Sequence, residues 1–443
     1  MPIGCLISFT NNPQGVYYAG QELSGSVDFN VDITKRIKAI HITVNGFAKI
    51  RWIKKGYPSD SERATCRAYR SYLSSRSYVL GSVTGSSCSV IDWLAGEYTY
   101  SFHVILPDNL PTSFDGKYGQ IHYEIIATID RPSRYPKVYR LPFTVIHPLD
   151  LNFDPIYRVP LDILDRKTFW SFCCPTGPLT VKFSTPYCGY AAGQKINFIL
   201  FINNESSIDI TECLVKLKQE VSYESIDPQH EYRYDKNVIA LKKFGSVLRW
   251  SRKVYRGSLD LPSVPPTNVM SGCPIAITYA IKIIIKPTEF HFKLKLKIPV
   301  TIGSIPIMES HIIDNEEREA NRRRRYPRPP PLIVTDGNLR SNHIHSIHGN
   351  GVDDNSDNPP EYIPMVPPSY EDAMALCDKF IDDIEYLHSA ASTASLDSSH
   401  RIFDFKPRYP VYYNFITPTV PPDQIIEGSP TQISLPSEVE DVK

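Results

Sequence analysis

YYAGQELSGSVDFNV (17–31) is the stretch from which the fold can be read. Leu23, Val27, Phe29 and Val31 fall on one side of an extended chain, and Ser24, Ser26, Asp28 and Asn30 on the other. That period of two is the mark of a half-buried strand. The same words return 173 residues on: Tyr17-Tyr18-Ala19-Gly20-Gln21 is answered by Tyr190-Ala191-Ala192-Gly193-Gln194. At that offset Asn30 meets Asn203, Ile37 meets Ile210, Ile42 meets Val215 and Val44 meets Leu217. Further on, Leu106-Pro107 followed by Pro111 is echoed by Leu261-Pro262 followed by Pro266, and Tyr123 in QIHYEI by Tyr279 in AITYAI. A repeat in the same order of features predicts the same supersecondary unit twice, in tandem.

Strand patterns fill the chain around these words. Tyr98, Tyr100, Phe102, Val104 and Leu106 alternate, and so do Ile275, Ile277, Tyr279, Ile281, Ile283 and Ile285. In KLKLKIP, Lys293, Lys295 and Lys297 alternate with Leu294, Leu296 and Ile298, which predicts lysines in solvent and apolar side chains in the core. Long helical periodicity is absent before residue 310. The expected fold is all-β: two immunoglobulin-like β-sandwiches, at 1–148 and 178–308, joined by a proline-rich connection at 149–177. Residues 57–92, rich in Ser and Arg, read as a long exposed loop with room for one edge strand. Residues 222–238 read as a shorter polar counterpart.

Composition changes after Ile313. Of the 38 prolines, 16 fall in 314–443, among charge blocks and Ser/Asn/Asp runs. Such a segment buries too little apolar area to offset chain entropy, so 309–443 is expected to be a disordered tail. Within it, Ala373, Leu376, Cys377, Phe380, Ile384 and Leu387 keep helical spacing. A short helix is therefore expected at about 369–388, with Ser369 and Asp372 forming a capping box.

The totals exclude several function classes. Lys+Arg and Asp+Glu are 48 each, without the basic excess that nucleic acid favours, so no nucleic-acid partner is expected. The N-terminus MPIGCLISF lacks the charged and long apolar regions of a secretory signal. The longest nearly apolar run, 275–285, contains Lys282 and is far below the ~20 residues of a spanning helix. Nine cysteines in a chain of this length do not form a disulfide framework, and a reduced, cytoplasmic protein is expected. No HExxH, GxSxG, phosphate-cradling Gly loop or zinc-spaced Cys pair is present, so neither enzyme nor cofactor is expected. Adjacent Cys173 and Cys174 fit a turn better than a metal, and His343, His345 and His348 sit in the tail; no metal site is assigned.

The tail holds the chemistry. Pro359-Pro360-Glu361-Tyr362 and Pro367-Pro368-Ser369-Tyr370 repeat one word, Pro-Pro-x-Tyr, eight residues apart. A polyproline II segment displays its rings with little entropy left to lose, and WW domains bind such rings in an aromatic groove. The tyrosine adds a large amphipathic anchor. Two copies in one tail suit a partner with several WW domains, because linked sites gain avidity. Arg324-x-x-Pro327-x-x-Pro330 also fits an SH3-type ligand, a weaker pattern that proline-rich tails produce by chance. It adjoins the basic run Arg322–Arg325, which reads best as a solvated boundary.

Taken together, these residues resemble the α-arrestins, the arrestin domain-containing proteins. In the first half the resemblance lies in YYAGQELSGSV, YSFHVILPDNLPTSF, GQIHYEIIATIDRP and HPLDLN. In the second it lies in FCCPTGPLTVKFSTPYCGYAAGQKINF and KLKLKIPVTIGSIPI, and in the tail in VPPSYEDA. It covers about 5–308 and 359–375; the 57–92 loop departs from it, and FDFKPRYPVYYNF (403–415) matches nothing in it. The resemblance implies two arrestin-like sandwiches acting as an adaptor and not as an enzyme. Its sandwiches would engage membrane cargo, receptors or transporters. Its tail would recruit HECT-type ubiquitin ligases through their WW domains, so that cargo is ubiquitinated, endocytosed and sorted. The protein would be cytoplasmic and recruited to plasma membrane and endosomes through its partners. The alternative is a structural coat or sorting scaffold that acts without a ligase.

Overall fold

The computed structural model describes residues 3–54, 65–82, 90–171, 174–288, 291–307 and 405–413. The first sandwich is built from β1 (Gly4–Phe9), β2 (Val16–Tyr18), β3 (Glu22–Val31), β4 (Lys35–Ile37), β5 (Ala39–Ile53) and β6 (Thr65–Gly81). It is completed by β7 (Ile91–Trp93), β8 (Gly96–Ile105), β9 (Phe114–Gly116), β10 (Gly119–Asp130) and β11 (Lys137–Ile146). The second holds β12 (Leu161–Ser171), β13 (Cys174–Thr185), β14 (Gly189–Ala191), β15 (Lys195–Asn204) and β16 (Ile210–Ser225). Its last strands are β17 (Glu231–Phe244), β18 (Ser251–Asp260), β19 (Ile275–Pro287) and β20 (Leu294–Gly303). Among the described residues the one helical element is a 3-10 turn at Pro155–Arg158.

The tandem repeat is visible in the strand order. One sheet runs β2-β11-β10-β5-β6 and its counterpart β14-β20-β19-β16-β17, while β1-β3-β8 faces the first and β12-β13-β15-β18 the second. Each long sheet ends on a parallel pair, β2 with β11 and β14 with β20. Val44 stands opposite Ile125, and Leu217 opposite Ile281, so residues matched in sequence hold matched places in register.

Alternation decides which side chains enter the cores. Leu23, Val27, Phe29 and Val31 are buried, as are Ile275, Ile277, Tyr279, Ile281, Ile283 and Ile285. Edge-to-face rings fill the first core, with Tyr17 and Phe143 at 6.0 Å and Phe29 and Trp93 at 5.4 Å. Leu294 and Ile298 are buried and Leu296 packs on the second core, while Lys295 and Lys297 face outward, the register expected for this strand.

Two small devices occur once in each sandwich. In the YAGQ turn, Gln21 Oε1 accepts from Tyr18 N at 2.8 Å, and Gln194 Oε1 from Ala191 N at 2.8 Å. The glycines between them, Gly20 and Gly193, have φ of 88° and 92°, where an L side chain is strained. Beneath each turn a buried tyrosine closes the proline loop: Tyr123 Oη donates to Pro111 O at 2.7 Å, and Tyr279 Oη to Pro265 O at 2.6 Å. The following threonines match as well, Thr112 accepting from His147 N and Thr267 from Ile302 N, both at 2.9 Å.

Several elements differ from expectation. Within 57–92, Thr65–Gly81 is β6, a single edge strand of the kind that reading left room for, but a long one that pairs with β5 along its length. Residues 222–238 belong mainly to β16 and β17, which pair from Ser225↔Glu231 onward. Both β6 and β17 are edge strands, solvated on their outer faces, so they carry polar side chains where a core strand would alternate. The expected connection 149–177 includes β12, which pairs with β13. For residues 405–413 the expectation of a disordered tail is corrected. Tyr409, Pro410, Val411 and Tyr412 are buried, and that apolar run offsets the entropy that a polar tail cannot.

Candidate functional site

The Pro-Pro-x-Tyr residues Pro359, Pro360, Tyr362, Pro367, Pro368 and Tyr370 lie outside the described residues. So do Arg324, Pro327 and Pro330, and the helix expected at 369–388. What the structure adds is their setting in the chain. They fall within 308–404, a stretch that follows the end of the second sandwich at Ile307 and precedes a packed segment at Phe405.

The two sandwiches meet along β6. Arg67 N donates to Asp227 O at 2.8 Å, Ile226 N donates to Arg67 O at 3.1 Å, and the two side chains of Arg67 and Asp227 form an ion pair. Lys54 pairs with Glu231, and Arg70 Nη1 donates to Gly272 O at 2.6 Å. The Arg233 guanidinium lies 4.3 Å over the Tyr118 ring, which meets Tyr223 edge-on at 5.5 Å. Gly116 has no Cβ, and one built there would collide with the Tyr223 hydroxyl; the close approach of β9 to the second sandwich requires the glycine.

Residues 405–413 cross the same seam. The Phe405 ring stands edge-on to His122 at 6.0 Å, and Arg408 N donates to Thr144 Oγ1 at 3.2 Å, both in the first sandwich. Tyr409 Oη donates to Ser113 O at 2.9 Å, and Tyr409 O accepts from Ser263 Oγ at 3.3 Å, so this residue touches both sandwiches. Tyr412 N donates to Ala192 O at 2.8 Å and Tyr412 Oη to Ser304 O at 2.7 Å, both in the second. Aromatic density was the sequence signal for this segment: FDFKPRYPVYYNF stands out in a tail otherwise poor in large apolar residues.

Beside Phe405 lies a buried acid. The Glu124 side chain is 3% exposed; Arg140 Nη1 is 2.7 Å from one carboxylate oxygen and His122 Nε2 3.9 Å from the other. Burial works against the charged form, but His122 and the Arg140 guanidinium outweigh it and hold the Glu124 carboxyl below its ordinary value.

The outer face of the second sandwich is basic. Register places Lys216, Lys282 and Lys297 in one cross-strand row, with Lys218 and Lys295 in the neighbouring rows and Lys236 opposite Glu220 one row further. Like charges side by side are unfavourable on a sheet. Burial first, and then the charges of Lys218 and Lys295, push the Lys282 ammonium below its ordinary value. Glu220 relieves part of the repulsion, lying 2.8 Å from Lys297 and 3.7 Å from Lys236. Such a face attracts an acidic surface, in a way that salt screens. No group of three or more potential metal ligands occurs among the described residues.

The comparisons agree with this architecture. The N-terminal domain of the arrestin (or S-antigen) family matches residues 5–152, and its C-terminal domain residues 175–307. Arrestin domain-containing protein 17 of Caenorhabditis elegans is 29% identical over 322 residues, 69% of this chain and 72% of its own length. Arrestin domain-containing protein 1 of Mus musculus is 28% identical over 312 residues, 69% of this chain and 65% of its own length. Thioredoxin-interacting protein of Rattus norvegicus is 26% identical over 387 residues, 81% of this chain and 92% of its own length. With both family domains in order on two matching sandwiches, and with relatives of this kind, the chain belongs to the arrestin family, among the α-arrestins or arrestin domain-containing proteins.

Proposed function

We propose that this protein is a trafficking adaptor that couples membrane cargo, receptors or transporters, to HECT-type ubiquitin ligases with WW domains. The observation that carries the proposal is the doubled Pro-Pro-x-Tyr word at 359–362 and 367–370, on a chain whose body is an arrestin pair. Each word is a complete WW ligand by its own chemistry: two rings for the aromatic groove and a tyrosine anchor. The paired sandwiches supply broad β-surfaces for cargo. The lysine face of the second sandwich would hold that body against an anionic cytoplasmic leaflet, where cargo resides. The protein would then work in the cytoplasm and at plasma membrane and endosomes. Among the described residues no helix is long and apolar enough to cross a membrane.

Deletion of 359–370 in cells tests the proposal. An adaptor loses cargo ubiquitination and leaves the cargo at the surface. If ubiquitination and sorting persist at the parental level, the ligase role is wrong and the protein is a coat or sorting scaffold.

A further inference from the structure

We propose that the loop tips carrying Ile33, Leu94 and Tyr135, at one end of the first sandwich, form a membrane-insertion edge whose ligand is an anionic lipid surface. The inference uses neither the Pro-Pro-x-Tyr words nor the lysine face of the second sandwich, and it stands if either of those readings fails.

Register gathers the tips. β4 pairs with β7 through Lys35↔Trp93, so the turn at Ile33 lies beside Leu94. β3 ends opposite the start of β8, at Val31↔Gly96, and β10 turns into β11 beyond Ile129↔Lys137. Lys38 N donates to Asp130 O at 2.7 Å, which ties the β4–β5 turn to the base of the β10–β11 hairpin. Ile33 is 52% exposed, Leu94 61% and Tyr135 90%. Single exposed apolar side chains are ordinary, but apolar side chains gathered at converging tips mark an interaction surface. The tips are also held in place. Arg131 Nε and Nη2 both donate to Tyr135 O, at 3.0 and 2.5 Å, and Tyr98 Oη donates to Leu94 O at 3.2 Å. Little loop entropy is then left to lose on binding.

Charge selects the surface. The hairpin loop 131–137 carries Arg131, Arg134 and Lys137 and no acid. Lys35 stands close to them: burial first, then the charges of Arg131 and Lys35, push the Lys137 ammonium below its ordinary value. Of the acids at this end, Asp92 lies 3.9 Å from Arg36 and Asp130 3.1 Å from His41, while Asp32 and Glu97 are exposed and offset part of the positive charge. The attraction to an anionic leaflet is therefore modest, and the apolar tips supply the hold. Separate tips fit lipid better than a folded protein surface, because a fluid boundary receives each one where a rigid partner needs a pocket for each. Tyr135, with an apolar ring and a wet hydroxyl, suits that boundary.

The test is co-sedimentation of the full chain with vesicles of phosphatidylcholine containing about a quarter phosphatidylserine, in about 0.1 M salt. It is run on the parent and on a Lys216→Glu, Lys297→Glu background that removes the attraction of the lysine face. In that background Tyr135→Ser should weaken binding about tenfold, and Ile33→Ser with Leu94→Ser by more, because each change withdraws a large apolar side chain from the boundary. All three side chains are exposed, so the variants should keep parental hydrogen exchange in β10 without vesicles. With vesicles, exchange should slow in peptides covering 31–38, 91–98 and 131–137. Absence of vesicle binding in the lysine-face background, the result if these tips meet an acidic protein surface, would overturn the proposal. So would undiminished binding by the variant carrying all three serines, or protection confined to β16, β19 and β20.

Discussion

Tyr123 and Tyr279 hold equivalent places, so one substitution made twice tests how the repeat is stabilised. Tyr123→Phe removes a hydroxyl that donates to Pro111 O at 2.7 Å and leaves that carbonyl buried without its donor. Tyr279→Phe removes a hydroxyl that donates to Pro265 O at 2.6 Å and also accepts from Gln219 Nε2 at 2.8 Å. Ring, backbone and burial are otherwise the same, because both tyrosines are buried. Orphaning one buried polar group costs roughly 1–3 kcal/mol, so Tyr123→Phe should fall in that range. Tyr279→Phe orphans a carbonyl and an amide and should cost about twice as much. Two linked sandwiches need not unfold in one step, so a single melting curve does not separate the costs. Hydrogen exchange does, read by mass spectrometry on peptides from β10 and β19. Each 1.4 kcal/mol raises exchange through local or domain opening about tenfold. Tyr123→Phe should accelerate exchange in β10, and Tyr279→Phe should accelerate it more strongly in β19. Equal effects, a larger effect from Tyr123→Phe, or a neutral Tyr279→Phe would refute the two-bond assignment.

Arg140→Met strips the main cation from Glu124. Breaking a buried ion pair costs roughly 3–5 kcal/mol, and the lower end applies because Arg140 is 43% exposed. In the parent, the Glu124 carboxyl lies below its ordinary value of 4.5, so its stabilising contribution is full at neutral pH and is lost as pH falls through the depressed value. In the variant burial prevails and raises the carboxyl, so its stability deficit should shrink on acidification through pH 5 to 3; thermal melts of both proteins across that window check the sign. Leu296→Asp puts a charge against the second core and should cost about 3 kcal/mol or more, whereas Lys295→Asp, one residue away on the outer face, should stay within about 0.5 kcal/mol. Denaturant titration followed by exchange in β19 distinguishes the two.

What was legible in the sequence was what is locally coded. The repeat of Tyr17–Gln21 at Tyr190–Gln194 was legible because each copy codes a local turn, in which a glycine at positive φ and a glutamine that folds back need no distant partner. Core strands could be read because one face must be apolar, which made Tyr123 and Tyr279 recognisable as equivalents. Edge strands could not. β6 presents Arg67, Arg70 and Arg76 along a strand at the end of its sheet, and its length is set by pairing with β5 and by contacts to Asp227 and Gly272 of the second sandwich. Residues 405–413 stand out by their aromatic density, but their burial was hidden for another reason: it depends on a seam made by two sandwiches, and no periodicity within nine residues encodes a non-local groove. Proline content pointed to disorder there, yet Pro410 is part of the buried run. The lysine row formed by Lys216, Lys282 and Lys297 needed the strand register, because the three residues come from three strands.

The adaptor account rests on the doubled tail ligand, and titration of a tandem WW-domain fragment against full-length protein tests it most directly. Tyr362→Ala with Tyr370→Ala should abolish binding while β10 and β19 keep parental exchange protection. Of the single changes, Tyr370→Ala should weaken binding more than Tyr362→Ala, because Glu371 and Asp372 follow at the start of the helix expected there. The avidity gain should be modest, because eight residues of polyproline II span only about 25 Å. Undiminished binding by the doubly substituted protein would contradict the account.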